Sequence, residues 1–260
     1  MLTLASPLTI VPLKGLPLIH PGDDLAGMLV KAAERVGYRI KNGDVLVVGQ
    51  KAVSKSEGRL VDIGNIRPGK RAEEIAQKTG KHPGFVEVVL RDARKVVKAH
   101  EEAFIVRTKQ GWVCLNGGVD KSNVQGPMNY ALLPENADAS ARRLRSRIRK
   151  LTGQNIGVII CDTHSRPFRR GQVEETIGVA GLNPMVDYVG KRDLFGYQLR
   201  FKNVAVADEL ASAAELVMGQ GREKVPAAII RGLRRVRFQE RAKSLDLVVD
   251  VHEDLFRGTF

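Results

Sequence analysis

The stretch Gly157-Val-Ile-Ile-Cys-Asp-Thr-His-Ser-Arg-Pro-Phe-Arg-Arg-Gly171 constrains the fold more than any other part of the chain. Val158, Ile159 and Ile160 form a short β-branched run, the composition of a strand buried on both faces. The run stops at Asp162-Thr163, a carboxylate beside a hydroxyl, and Arg166, Arg169 and Arg170 follow. A buried strand ending in oxygen ligands beside guanidinium groups suits a divalent cation that holds a polyphosphate. The same residues also describe an ordinary strand leaving a core for a basic, solvated turn. On this stretch alone both readings stand.

The rest of the chain supplies further strands with polar ends. Residues 3–11 read as a first strand, and Pro12 and Pro17 force an extended segment after it. Asp24 caps a helix with Leu25, Met28, Leu29, Ala32 and Val36 on one face, ended by Gly37. Asn42-Gly43-Asp44 turns into a buried strand at 45–48, and residues 50–59 follow as a polar loop. Helical spacing runs over 68–79 and 83–100, and 104–108 pairs with 112–115 as a hairpin. Next come a polar loop at 116–123, a helix from 138 to 151, the central strand 154–160 and a turn with a helix start over 167–175. Irregular chain at 178–190, a strand at 199–206, a helix at 207–218 and a buried strand at 225–230 follow, with one more strand at 245–251. This irregular order predicts an α+β fold of mixed sheets with flanking helices, and not a doubly wound one.

A formal charge of +13 over 260 residues calls for anionic partners: nucleic acid, nucleotides or acidic metabolites. Much of the excess lies in 142–150 and 231–237, and aromatics make up only 5% of the chain with none inside either run, which argues against a base-stacking platform. Cys114 and Cys161 give neither a disulfide framework nor metal-ligand spacing and read as buried small hydrophobes of a reducing compartment. The apolar start lacks a basic leader region and is interrupted by Pro7, Pro12 and Pro17, and no apolar run reaches the ~18 residues of a membrane span. A cytoplasmic protein is expected.

Three polar segments, 50–59, 116–123 and 162–170, follow three predicted strands, and 219–224 follows a helix. If those ends converge, they gather Lys51, Lys55, Asp120, Asn123, Asp162, Thr163, Arg166 and Arg169. Two carboxylates among basic groups are what Mg²⁺ or Mn²⁺ with nucleotide phosphates requires. Neither G-x-x-x-x-G-K-S/T nor G-x-G-x-x-G occurs, so a P-loop and a Rossmann dinucleotide site are not expected. No nucleophile motif occurs either, and a lone loop histidine such as His164 is ordinarily a surface residue. By spacing and chemistry alone the reading ends at a metal–phosphate enzyme.

Taken together, Gly15-Leu-Pro-Leu-Ile19, Gly22-Asp-Asp-Leu25, Asp44-Val-Leu-Val-Val48, Ser54-Lys-Ser-Glu-Gly-Arg59, Asn116-Gly-Gly-Val-Asp-Lys-Ser-Asn-Val124, Leu132-Leu-Pro134, Asp162 to Gly171, Ile177-Gly-Val-Ala-Gly181, Val206-Ala-Asp-Glu-Leu210 and Leu216-Val-Met-Gly219 closely resemble the coenzyme F420-0:L-glutamate ligase (γ-glutamyl ligase) family, in order from about residue 10 to Gly232. The resemblance implies a GTP-dependent enzyme that adds L-glutamate to the deazaflavin precursor F420-0 and releases GDP and phosphate. It implies Mg²⁺ or Mn²⁺, a helpful K⁺, an intertwined homodimer, a ligase domain over 1–232 and an extension of unknown role over 233–260. Carried over by motif, Asp120 and Asp162 are metal-binding carboxylates, while Thr163 and Gln220 belong to a second metal. Arg166 and Arg169 stand beside the reacting groups. The nucleotide contacts map to Leu16, Pro17, Leu18 and Ile19, to Gln50, Lys51, Lys55 and Asn123, and to Met218, Gly219, Gln220, Gly221, Arg222, Glu223, Lys224 and Val225. Members usually carry Asn-Ala-Gly where this chain has Asn116-Gly117-Gly118, and a glycine where it has Ser165. Gln50-Lys51 replaces small hydroxyl residues found in some members.

Overall fold

The computed structural model describes residues 7–101, 103–233, 236–250 and 252–255. Strand β1 (Thr9–Pro12) leads to helix α1 (Leu25–Arg35), then β2 (Val45–Gly49), α2 (Gln50–Ser56) and β3 (Leu60–Asp62). Helices α3 (Lys70–Thr79) and α4 (Pro83–Asp92) precede β4 (Ala93–His100), β5 (Ala103–Thr108), β6 (Val113–Leu115) and β7 (Asn129–Ala131). Helix α5 (Ala137–Thr152), the ribbon β8 (Gly157–Ser165) and β9 (Gln172–Ala180), then β10 (Val186–Asp187), β11 (Asn203–Val204), α6 (Val206–Met218) and β12 (Ala227–Arg231) complete the order. The fold is a mixed α+β one.

The main sheet runs β1-β12-β2-β8-β9, with β2 parallel to β8 and every other pair antiparallel. Alternation along these strands sorts the interior into two layers. Leu46, Val48, Val158, Ile160 and Ile229 pack with Leu29, Ala33, Leu144 and Ile148 of α1 and α5. Val45, Val47, Ile159, Cys161 and Ile230 pack with Leu210, Ala211, Ala214 and Met218 of α6. Both faces of β2 and β8 are therefore covered, which is why their sequences are continuously apolar. A third cluster joins α3 and α4 to the β4-β5-β6 sheet through Ile63, Phe85, Val86, Phe104 and Val106.

Several expectations need correction. The helix expected over 83–100 ends at Asp92, and Ala93–His100 is strand β4, paired with β5. Ala93, Val96 and Ala99 lie three apart and all pack on the third cluster, because the ladder shifts register between Ala93 and Lys95 and again between Val96 and Lys98. Bulged pairing thus imitates helical spacing. Residues 50–56, expected in a polar loop, form α2, with Ala52 and Val53 buried beneath the polar side chains. The stretch from Gln172 to Ala180, read as helix start and irregular chain, is strand β9. Gly178 had signalled irregularity, yet it sits within β9 where the start of α5 presses on the sheet: a Cβ there would lie 2.6 Å from the Ala137 carbonyl. The strand expected at 199–206 shrinks to Asn203–Val204. Residues 244–247 form a 3₁₀ turn and not a strand, with Val251 outside the described residues. The first strand begins at Thr9, and residues 3–6 of its expected span are also outside them.

Much of the basic helix α5 is paired internally. Arg143 meets Glu57, Arg147 meets Asp24, and Arg145 meets Glu240 at 2.6–2.8 Å. Arg145 also donates to the Ile156 carbonyl, and Ser244 N–H reaches Asp138 of α5, so the segment after residue 232 is fastened to the fold. Among the described residues no helix is long and apolar enough to cross a membrane. Replacing Gly178 by alanine should lower stability by about 1–3 kcal/mol through overpacking against Ala137. A urea titration checks this; an unchanged midpoint would mean that α5 can withdraw from β9 at no cost.

Candidate active site

The site begins where β8 loses a neighbour. β2 pairs with β8 as far as Gly49 opposite Cys161, and there the chain turns away into α2. From Asp162 to Ser165 the strand continues with β9 alone. A register shift beside Ile160 and Cys161 gives β9 one extra residue at this point, a device that re-aims side chains at a sheet's end. Asp162 pairs with Glu175 and Thr163 with Glu174, so consecutive residues on both strands face opposite sides of the ribbon.

On one side lies a cavity of about 880 Å³. Its walls are Asp162, His164 and Glu175, the 116–122 segment, Arg166, and an apolar patch of Val97, Ile105, Val113 and Leu115 from the β4-β5-β6 sheet. On the other lies a cavity of about 380 Å³, lined by Leu16–Ile19, Gln50, Lys51, Lys55, Asn123, Glu174 and all of Met218–Val225. Lys51, Asp162, Thr163 and Gln220 line both. The residues expected at the nucleotide therefore lie around one cavity, and Asp120 and Arg166 face the other. Arg169 and Arg170 are exposed on the β8–β9 turn and line neither.

Backbone geometry places the 116–124 segment. Asn116, Gly117 and Gly118 have φ of 55°, 61° and 71°, and a Cβ on Gly118 would strike Leu133 at 2.6 Å, so the second glycine is sterically required. The turn delivers Asp120, whose backbone bridges to Ala131. Lys51 and Lys55, one turn apart on α2, reach across to this segment. Lys51 Nζ lies 2.6 Å from Asp120 Oδ2, and Lys55 Nζ donates to the Asn123 carbonyl at 2.7 Å. Burial raises the Asp120 pKa, but Lys51 and the Ser122 N–H and hydroxyl outweigh it and hold it below the usual carboxylate value. Burial, with Lys51 nearby, lowers that of Lys55.

Three residues of the ribbon escaped sequence reasoning. His164, expected at the surface, is buried, with Nδ1 2.7 Å from Glu175 Oε2 and Nε2 3.4 Å from Asp162 Oδ2. Glu174 is buried and accepts from Thr163 Oγ1 and Gln220 Nε2. The available signal was the concentration of β-branched residues at Val173, Thr176, Ile177 and Val179, which favours a strand that would carry Glu174 and Glu175.

Several observations bear on what these cavities can hold. His164 Nε2, Arg166 Nε, Asn116 Oδ1 and Gln50 Nε2 are buried without a hydrogen-bond partner, and all four residues line these cavities. Orphaned polar atoms of this kind call for a polar occupant. Among the described residues no group of three or more His, Cys, Asp or Glu is arranged around a metal position. The donors present are the oxygens of Asp120, Asp162, Thr163 and Gln220. Such a set fits Mg²⁺ or Mn²⁺ held by one or two carboxylates and completed by phosphate and water, and it does not fit a soft metal.

The family model for F420-0:gamma-glutamyl ligase matches residues 15–232. The chain belongs to that family. Every residue lining either cavity falls inside the matched span. A protein named coenzyme F420:L-glutamate ligase from Methanothermobacter thermautotrophicus is 39% identical over 251 residues, 96% of this chain and 99% of the relative. Those of the same name from Methanopyrus kandleri and Methanocaldococcus jannaschii are 44% and 46% identical, covering 92% and 85% of this chain and 93% and 87% of their own.

In this family member the ribbon histidine yields a pH test. Burial opposes charge on His164, but Asp162 and Glu175 outweigh it and push its pKa from the usual 6.5 up to about 10. The fold thus favours the imidazolium. In cation-free protein this stabilisation is complete below pH 6.5 and is lost as the pH rises toward about 10. The stability difference between wild type and His164→Gln, followed by urea unfolding, should shrink across that window; a constant difference would show that the imidazole does not gain its charge from folding.

Proposed function

We propose that this protein is a GTP- and divalent-cation-dependent ligase that joins L-glutamate to the deazaflavin precursor F420-0. Mg²⁺ or Mn²⁺ is the cation, K⁺ assists, and the working form is a homodimer. The observation that carries this reading is the meeting of two cavities at one wall of Lys51, Asp162, Thr163 and Gln220. A phosphoryl donor and a phosphoryl acceptor need adjoining sites with positive charge between them.

GTP occupies the smaller cavity, with its terminal phosphate at the common wall and Lys51 and Lys55 beside the phosphate oxygens. F420-0 enters the larger one, its ring on the apolar β4-β5-β6 patch and its anionic groups near Arg166. Asp120 and Asp162 would hold one cation, and Thr163 and Gln220 a second; a bound cation offsets charge gathering on the transferring group. The precursor's carboxylate attacks the γ-phosphorus, the bond to GDP breaks, and an acyl phosphate forms. The α-amine of glutamate, having lost its proton, attacks the acyl carbon and expels phosphate. Later additions repeat the cycle through γ-linkages. The homodimer is supported by Leu194 and Phe195 at 97% exposure and Phe201 at 91%, apolar groups that a second copy would cover. A nucleic-acid reader is less consistent with α5, whose Arg143, Arg145 and Arg147 face acids.

Incubation with GTP, Mn²⁺, glutamate and F420-0 should release GDP and add the mass of glutamate to the deazaflavin. Asp162→Asn should fold normally and lose about 10²–10³-fold or more in rate, the scale of one lost transition-state contact. No GDP release by wild type would end the ligase reading, and full activity of the variant would end the role of Asp162.

A further inference from the structure

Glu174 is 4% exposed, yet among the described residues no lysine, arginine or histidine lies within ion-pair distance of it. Its Oε1 takes only neutral donors, Thr163 Oγ1 at 2.5 Å and Gln220 Nε2 at 2.8 Å. The surroundings are poorly solvated: burial first, and then the charge of Glu174, hold the adjacent Cys161 thiol well above its usual pKa. A carboxylate buried without a counter-charge is costly, and its retention needs a reason beyond packing.

The two donors supply the reason. Thr163 and Gln220 stand on the wall common to both cavities, while Glu174 lines only the smaller one. With its proton given to Glu174, the Thr163 hydroxyl keeps its lone pairs free. With Nε2 engaged by Glu174, the Gln220 amide is fixed so that Oε1 lies 3.2 Å from Thr163 Oγ1. That separation is close to the ~3.0 Å edge of an octahedron built on metal–oxygen bonds of ~2.1 Å.

We infer that Glu174 is the positioning residue of the cation site, orienting Thr163 and Gln220, and that the cation arriving with nucleotide supplies the counter-charge that Glu174 lacks. The inference rests on the nucleotide–cation reading proposed above.

Two effects of Glu174→Gln should move in opposite directions. Removing the unpaired charge should leave the melting temperature of the cation-free, nucleotide-free protein unchanged or higher. Mn²⁺ binding in the presence of GTP, followed by the EPR signal of free Mn²⁺, should weaken by about 10–100-fold, as for other groups that orient metal ligands. Adding Glu174→Gln to Thr163→Val should weaken Mn²⁺ binding little further, because both changes act on one unit. Unchanged Mn²⁺ affinity overturns the inference. So does a fall in melting temperature accompanying the loss of affinity, which would make Glu174 a structural residue. Wild type that takes up no Mn²⁺ with GTP fails at the earlier step, and sinks the nucleotide–cation reading itself.

Discussion

The parallel pairing of β2 with β8 sets where the apolar interior stops and where reactive groups begin. As long as the two strands run together, both faces are covered by helices and every side chain from Val45 to Val48 and from Val158 to Cys161 is buried. Once β2 turns into α2 at Gly49, β8 has a single partner, and polar groups on it become affordable. One strand end thus provides a rigid root for Asp162 and Thr163 on one side of the boundary and a helix carrying Lys51 and Lys55 on the other. Sites built on such ends are held by the hydrogen-bonded ladder and not by loop conformation.

The same ladder explains why two cavities share a wall. Strand alternation sends Asp162, His164 and Glu175 to one side of the ribbon and Glu174 to the other, so a partition two strands wide has different chemistry on each face. The large side combines an apolar patch with a guanidinium. The small side combines ammonium groups, a glycine-bearing segment after α6 and an extended strap of Leu16 to Ile19. A reaction that moves a group across such a partition needs no covalent attachment to protein, which agrees with the burial of both cysteines.

The strands at the centre of the fold were readable because β-branched runs and turn residues punctuate them, and Asp162, Thr163 and Asp120 announced themselves as polar groups at strand ends. The ribbon partner β9 was not, because its signals conflict. Gly178 marks a close approach of α5, and Glu174 and Glu175 look like a solvated helix start until their partners across the ladder are known. Strand β4 was read as helix for a related reason, since two register shifts convert a period of two into apparent spacing of three. In both cases the missing information was the neighbour, and a neighbour is set by tertiary pairing and not by local propensity.

The main sheet also joins segments far apart in sequence. β1, at Thr9–Pro12, pairs with β12, at Ala227–Arg231, and among the described residues β12 alone links β1 to the rest of the sheet. The smaller cavity is framed in the same way, by residues 16–19 and 218–226. Its walls come from segments far apart in sequence, and this long-range closure is entropically expensive and belongs late in folding. Until residues 218–226 are made and docked, this cavity lacks one of its walls. Occupancy of that cavity fastens the first strand to the last, and acts as a clasp on the finished topology.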